Sequence, residues 1–258
     1  MSTLNKHGLL GPDILLSHQN NNSVEDAQII QQKNVKVSCT PGTELQMGHG
    51  NPVCFDNGLQ HHSSLGIDCH SVCSAYIPTQ MMLALQSARG RRHEKFEQHG
   101  KWAKSVAYTV EEAFNLGTIQ GARAIRMENE VGSLNVGKKA DLVIFNSQSP
   151  GMLVAADRDP VAAIVLHSSV RDVDTVIVDG IVRKKDGVLQ PVNIPESISV
   201  AENGPGSESA NWKDVQHRLV LMSRDIDERK KTVVDGPVAQ KGVLNKFHLN
   251  TEAWTDSL

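Results

Sequence analysis

No stretch of this sequence approaches the roughly 18 apolar residues that cross a bilayer as a helix, and no apolar signal core follows Met1. These absences speak against a helical membrane protein and make a cytoplasmic location the expectation, with no membrane partner. An excess of one charge is missing too, since 26 Lys and Arg stand against 29 Asp and Glu for a formal net charge of -3. Without a basic footprint the chain is not expected to bind nucleic acid, and the small cluster Arg89, Arg91 and Arg92 reads as a solvated helix end. Cysteine is sparse: Cys39, Cys54, Cys69 and Cys73 fall in one third of a chain too large to need disulfide staples, so reduced thiols are expected. Cys69 and Cys73 form a C-x3-C pair near His61, His62 and His70, a spacing that matches no compact zinc finger. Buried or incidental thiols are one reading of these residues, and a structural zinc module around Cys54, Cys69 and Cys73 is the other.

What is present suffices for a globular core, because 39% of the 258 residues are hydrophobic. The apolar run "DILLSH", residues 13–18, reads as a strand, and Ser23 then caps a helix running to about Lys33. "VKVSC", residues 35–39, repeats the strand signal; after a glycine-rich loop, Pro52 is placed to open a short helix ending near Gly58. A third strand covers Leu65 to Asp68, and "TQMMLALQSARGRR" predicts a helix from Thr79 to about Arg92. Three such β/α units imply parallel strands joined by helical crossovers. Thr109 and Glu112 make a capping box for a helix through Leu116, with "TIQGARAI" continuing helically. Further on, "GSLNVGKKADLVIF" reads as a turn and a strand, and "DTVIVDGIV" as a hairpin about Asp179-Gly180. Residues 192–208 have linker composition. Beyond them Trp212, Val215, Leu219, Met222 and Ile226 recur at helical spacing, the stripe of a docking helix.

In parallel α/β folds the chemistry collects at the carboxyl ends of the strands, where loops converge on one mouth. His18 and Asp68 both occupy such ends. Taken singly, either residue reads as well as a turn cap or a hydrogen-bonded structural group. From "DILLSH" to "DGIV", however, the sequence resembles the C-terminal portion of the metal-dependent amidohydrolase superfamily, in the deaminase and chlorohydrolase subgroup that acts on heterocyclic rings. The resemblance is carried by His18 ending its strand, by "SCTPGTELQMGHGNPV" in the place of the loop after the seventh barrel strand, and by "LGIDCHS" in the place of the eighth. "EEAFNLGTIQGARAI" and "GSLNVGKKADLVIF" match the helices after the barrel and the return into a β-sandwich.

The resemblance implies hydrolysis of a carbon–nitrogen bond other than a peptide bond, with water activated by a single zinc or iron ion attacking a ring carbon in deamination or dechlorination. Asp68 then corresponds to a metal ligand that also accepts the proton of the attacking water. His18 corresponds to the histidine that hydrogen-bonds the hydroxide or the substrate and steadies the tetrahedral charge. Glu44, where relatives usually carry asparagine, and His49 are expected to bind the small heterocyclic substrate.

The fold expected is therefore α/β: the last three β/α units of a (β/α)8 TIM-type barrel over residues 1–127, a small β-sandwich subdomain over 128–191, a linker over 192–208 and a helical tail over 209–258. The family's H-x-H pair of metal ligands and its further strand histidine have no counterpart here, and a whole barrel takes about 250 residues. The expectation is a truncated copy, or one completed by a complementing chain or a second copy of itself, that does not hold its metal alone and is inactive in isolation. An inactive fragment or pseudoenzyme that serves as a binding partner is the alternative.

Overall fold

The architecture grows from three short strands that share one direction. The computed structural model of the chain describes residues 1–56, 58–193, 209–233 and 236–246. After a short helix α1 (Ser2–Lys6), strand β1 (Leu15–Ser17), helix α2 (Val24–Gln32), strand β2 (Lys36–Cys39), helix α3 (Pro41–Gln46) and strand β3 (Ser63–Leu65) follow in order. The strands form a parallel sheet in the order β1-β2-β3, with Leu16 beside Val37 and Val37 beside Ser63. In the central strand the alternation places Val37 and Cys39 in the core, as expected of a strand covered on its buried face.

The start of α2 is where Ser23 predicts it. The Ser23 hydroxyl accepts from the Asp26 amide at 3.0 Å and the Asp26 carboxylate accepts from the Ser23 amide at 3.3 Å, so two orphan donors are satisfied reciprocally. The helix expected from Pro52 is absent. Residues 52–56 and 58–59 form no helix and show only turns and a bend before a single 3-10 turn, Gln60–His62, and the helix forms instead at Pro41. At Pro41 the Glu44 carboxylate accepts the N-cap amide of Thr40 at 2.9 Å, whereas the Asn51 carbonyl before Pro52 is taken by the Asn20 side chain at 2.6 Å. Pro52, Val53, Cys54 and Phe55 are all buried, so this run is core filling with no solvent face to make it amphipathic.

Helix α4 (Ile77–Glu97) is longer at both ends than its composition predicts. It buries Gln80, Met81, Ala84, Leu85 and Ala88, an i, i+1, i+4, i+5, i+8 stripe, against a core that includes Ile30, Val35, Val37, Phe55 and Leu59. Each such leucine or isoleucine removed from water contributes about 1.5–3 kcal/mol. The arginines near its end are not simply solvated. Arg89 donates to the carbonyls of Ala107 and Tyr108, Arg91 to that of Pro52 while pairing with Asp56 at 2.9 Å, and Arg92 to that of Ser105. They fasten loops that lack a ladder of their own. Helices α5 (Val110–Leu116) and α6 (Ile119–Ala124) close this part, α5 opened by the Thr109–Glu112 capping box.

Strand β4 (Leu142–Phe145), helices α7 (Leu153–Arg158) and α8 (Pro160–Ala162), a π-helical turn (Ala163–His167) and strands β5 (Val173–Val178), β6 (Ile181–Lys185) and β7 (Val188–Leu189) come next. They build one four-stranded sheet, ordered β4-β5-β6-β7, with β4–β5 and β5–β6 antiparallel. Asp179 and Gly180 join β5 to β6 with φ values of 50° and 78°, the doubly left-handed turn that the Asp-Gly pair predicts. The first compact unit, Met1–Val188, holds both this sheet and the parallel one.

The second unit, Leu189–Leu258, contains a two-stranded antiparallel ladder of β8 (Val192–Asn193) and β9 (Ser209–Ala210), then α9 (Trp212–Val233) and α10 (Gly236–Lys246). Residues 194–208 of the expected linker lie outside the described residues. The helix predicted by the Trp212 to Ile226 spacing is present, and Trp212, Leu219, Met222 and Ile226 are each about half exposed on it. Among the described residues no helix is long and apolar enough to cross a membrane.

Candidate active site

Because β1, β2 and β3 are parallel neighbours, the residues that follow them emerge at one edge of the sheet. His18 follows β1 directly, Thr40 follows β2, and Asp68 lies three residues beyond β3. The His18 amide donates to the Ser38 carbonyl at 2.9 Å, which extends the β1–β2 pairing by one residue before the backbone turns with φ 66°. On the other side the Gly66 amide donates to the Cys39 carbonyl at 2.8 Å. A Cβ on Gly66 would stand 2.9 Å from Ser38 Oγ and 3.4 Å from Thr40 Cγ2, so any larger residue here would have to turn the Ser38 hydroxyl aside. Asp68 then also takes a left-handed conformation, φ 65°, and its side chain is exposed. Two non-glycine residues in the region that L-amino acids usually avoid mark both flanks of this strand edge.

Around His18 the contacts are specific. Its Nδ1 lies 3.0 Å from Thr40 Oγ1 and 3.4 Å from Glu44 Oε1. Glu44, from the middle of α3, is fully buried; Oε1 accepts the Thr40 amide, and Oε2 is buried with no hydrogen-bond partner among the described residues. Burial pushes its carboxyl above the ordinary carboxylate range, opposed by the Thr40 amide and by the His18 ring. His49, whose amide caps the Glu44 carbonyl at 3.0 Å, is exposed and sets its ring edge-on to His18 with centroids 6.1 Å apart. The structure thus gathers His18, Glu44 and His49 in one place and brings Asp68 to the neighbouring strand end.

Sequence reasoning missed two residues of this edge. Thr40 carries a signal in retrospect, a hydroxyl residue at a strand end immediately before a proline. Gln80 has none beyond its position on the apolar stripe of α4: fully buried, it accepts the Gly42 amide at 2.7 Å and so holds the start of α3, and with it Glu44, in place. The cysteines do not gather into a zinc module. All four are free; Cys54 is buried beside Cys39, its thiol pushed up by that neighbour and by burial, while Cys69 is exposed and bonds Ser71, and Cys73 contacts Gln80 and the Ile67 carbonyl.

Residues 23–182 match the model of the amidohydrolase family. A curated relative, 5'-deoxyadenosine deaminase of Methanobrevibacter smithii, is 28% identical over 187 residues, covering 69% of this chain and 39% of that protein. Among solved structures, an adenosine deaminase from Xanthomonas campestris with bound zinc superposes on 90% of this chain and 46% of its own, with a TM-score of 0.62 at 19% identity. Atrazine chlorohydrolase from Arthrobacter aurescens, complexed with zinc, covers 72% of this chain and 39% of its own at a TM-score of 0.60 and 18% identity. These structural likenesses speak for a shared fold, and the chain spans less than half the length of each of the three proteins. Both solved neighbours hold zinc. Among the described residues of this chain, no group of three or more His, Cys, Asp or Glu side chains could hold a metal ion, so they do not make a zinc site by themselves.

Proposed function

Since the chain belongs to the amidohydrolase family, we propose that His18 and Asp68 serve the hydrolytic removal of an amino or chloro substituent from a heterocyclic ring. The observation that carries this reading is the placement of both residues beyond the carboxyl ends of β1 and β3, the two strands that flank β2 in the parallel sheet. In the same reading the three β/α units are part of a (β/α)8 barrel. The adenosine-type and triazine substrates named for the relatives define the class of ring.

In the step proposed, a water oxygen adds to the ring carbon that bears the substituent while Asp68 takes one of the water's protons. His18 hydrogen-bonds the water or the ring and steadies the charge that develops as the carbon becomes tetrahedral. The bond from carbon to the exocyclic nitrogen then breaks, and the proton held by Asp68 passes to that nitrogen, which departs as ammonia; a chloride departs without it. A zinc or iron ion at Asp68 belongs to this reading only with ligands from beyond the described residues.

The test is release of ammonia or chloride from a panel of adenosine-type nucleosides and chloro-triazines. It is run on the protein alone and after mixing with a separately expressed amino-terminal part of a related deaminase. Turnover should vanish in Asp68→Asn with the fold intact, and fall roughly 10²–10³-fold in His18→Asn. Full activity in Asp68→Asn removes that carboxylate from the mechanism. No turnover under either condition favours the second reading, a catalytically silent binding partner, which the lack of a three-ligand group among the described residues supports.

A further inference from the structure

Glu44, expected at the substrate, is fully buried and faces the ring of His18. Four facts constrain that meeting. His18 Nδ1 is 3.0 Å from Thr40 Oγ1, and the same nitrogen is 3.4 Å from Glu44 Oε1. Glu44 Oε1 is itself held by the Thr40 amide at 2.9 Å, on a helix whose start is pinned by Gln80. Its other oxygen, Oε2, is buried with no hydrogen-bond partner among the described residues, and apart from His18 the side chain that acts on the carboxyl is the neutral amide of Asn20.

An imidazole nitrogen presents either a lone pair or an N–H. A lone pair on Nδ1 aimed at a carboxylate oxygen 3.4 Å away is repelled, whereas an N–H there is attracted, and more strongly because the carboxylate is out of water. Thr40 Oγ1 can accept the same hydrogen at the shorter distance. We propose that Glu44 is a positioning residue for His18: with Thr40 it keeps the imidazole proton on Nδ1 and leaves Nε2 as the nitrogen offered to the attacking water. As Nε2 accepts the hydrogen bond of the attacking water, the carboxylate behind the ring compensates the positive charge this draws onto the imidazole, the relation of base and orienting acid that hydrolases of unrelated fold also use. His49 stands edge-on to the ring on its exposed side, and the Cys54 thiol is close enough to Glu44 to feel its charge.

This inference rests on His18 being catalytic, and its test is chosen to be independent of turnover. Ring nitrogen resonances of the ¹⁵N-labelled full chain are recorded about two pH units above the ordinary imidazole value of about 6.5, where the tautomer of a neutral ring is read directly. The His18 signals are assigned by their loss in His18→Gln. The expected result is a proton on Nδ1 in the wild type, a shift of the majority to Nε2 in Glu44→Gln, and retention of Nδ1 in Glu44→Asp. A wild-type ring protonated on Nε2 overturns the proposal outright, because it means the Thr40 hydroxyl donates to Nδ1, and that measurement stands even where a variant does not fold. An unchanged tautomer in folded Glu44→Gln overturns it as well. In an assay with turnover, Glu44→Gln should lower kcat roughly 10–100-fold with KM little changed. Normal kcat in that variant would leave His18 catalytic and Glu44 without the role given it here.

Discussion

At Glu44 burial and pairing act against each other, and the balance should be visible in how stability responds to pH. Burial is the larger influence and raises the carboxyl above its ordinary 4.5; the Thr40 amide and the His18 ring lower it. A group whose folded value lies above its unfolded value binds more protons in the native state between the two. Stability is therefore lost as pH rises from the ordinary value through the raised one, and the native carboxylate above that window is the less stable form. Glu44→Gln keeps an oxygen for the Thr40 amide and removes the titration. The expected outcome in urea unfolding is that the variant gains on the wild type as pH is raised from about 4 to about 7. A difference between the two that stays constant with pH would show that Glu44 is not held up by burial. His18 could be read from the sequence as a strand-end residue because a strand leaves a local signal; the strand expected over Leu65 to Asp68 instead ends at Leu65, and Asp68 stands three residues beyond it in a left-handed turn. That Glu44 is buried could not be read, since a carboxylate in a glycine-rich stretch looks solvated until Gln80 pins Gly42 from α4 and the His18 ring is brought against it from β1.

Among the elements, those that were legible carry their own start signals. The capping boxes at Ser23 and Thr109 are such cases, and each satisfies two helix-end donors without help from the rest of the molecule. Thr109→Ala removes the acceptor for the Glu112 amide and should cost about 0.5–2 kcal/mol in denaturant unfolding; a loss below that range would mean that packing of Ala113 and Leu116 alone holds α5. The exchange of a helix at Pro52 for one at Pro41 shows the limit of such signals. Proline suits the first turn at either place, and the choice fell to where the N-cap amide finds an acceptor. For α9 we expect the Trp212 to Ile226 stripe to be used in packing, which would appear as slower amide exchange through α9 than through α10. Equal, rapid exchange in both helices would mean the stripe is not covered.

Over the whole molecule, parallel strands place His18, Thr40 and Asp68 at a common edge, and no described group of three ligating side chains joins them. The protein as purified should accordingly hold well under one zinc per chain by elemental analysis after dialysis, since structural and catalytic sites use three or four protein ligands. One tightly held zinc per molecule would mean that residues outside this edge, His61, His62 and His70 among them, supply a site. The sequence by itself determined the alternation of strands and helices in the first part, the capped helix starts and the Asp-Gly hairpin, because each depends on neighbours within a few positions along the chain, and the resemblance of its motifs made His18 and Asp68 candidates. Tertiary structure alone decided that Pro52–Phe55 is core and not helix, that three arginines hold loop carbonyls, and that a buried carboxylate stands behind the His18 ring. Those outcomes turn on partners 13 to 39 residues apart in the pairs Arg92–Ser105, His18–Glu44 and Arg91–Pro52, where desolvation and hydrogen-bond satisfaction, not local periodicity, set the energy.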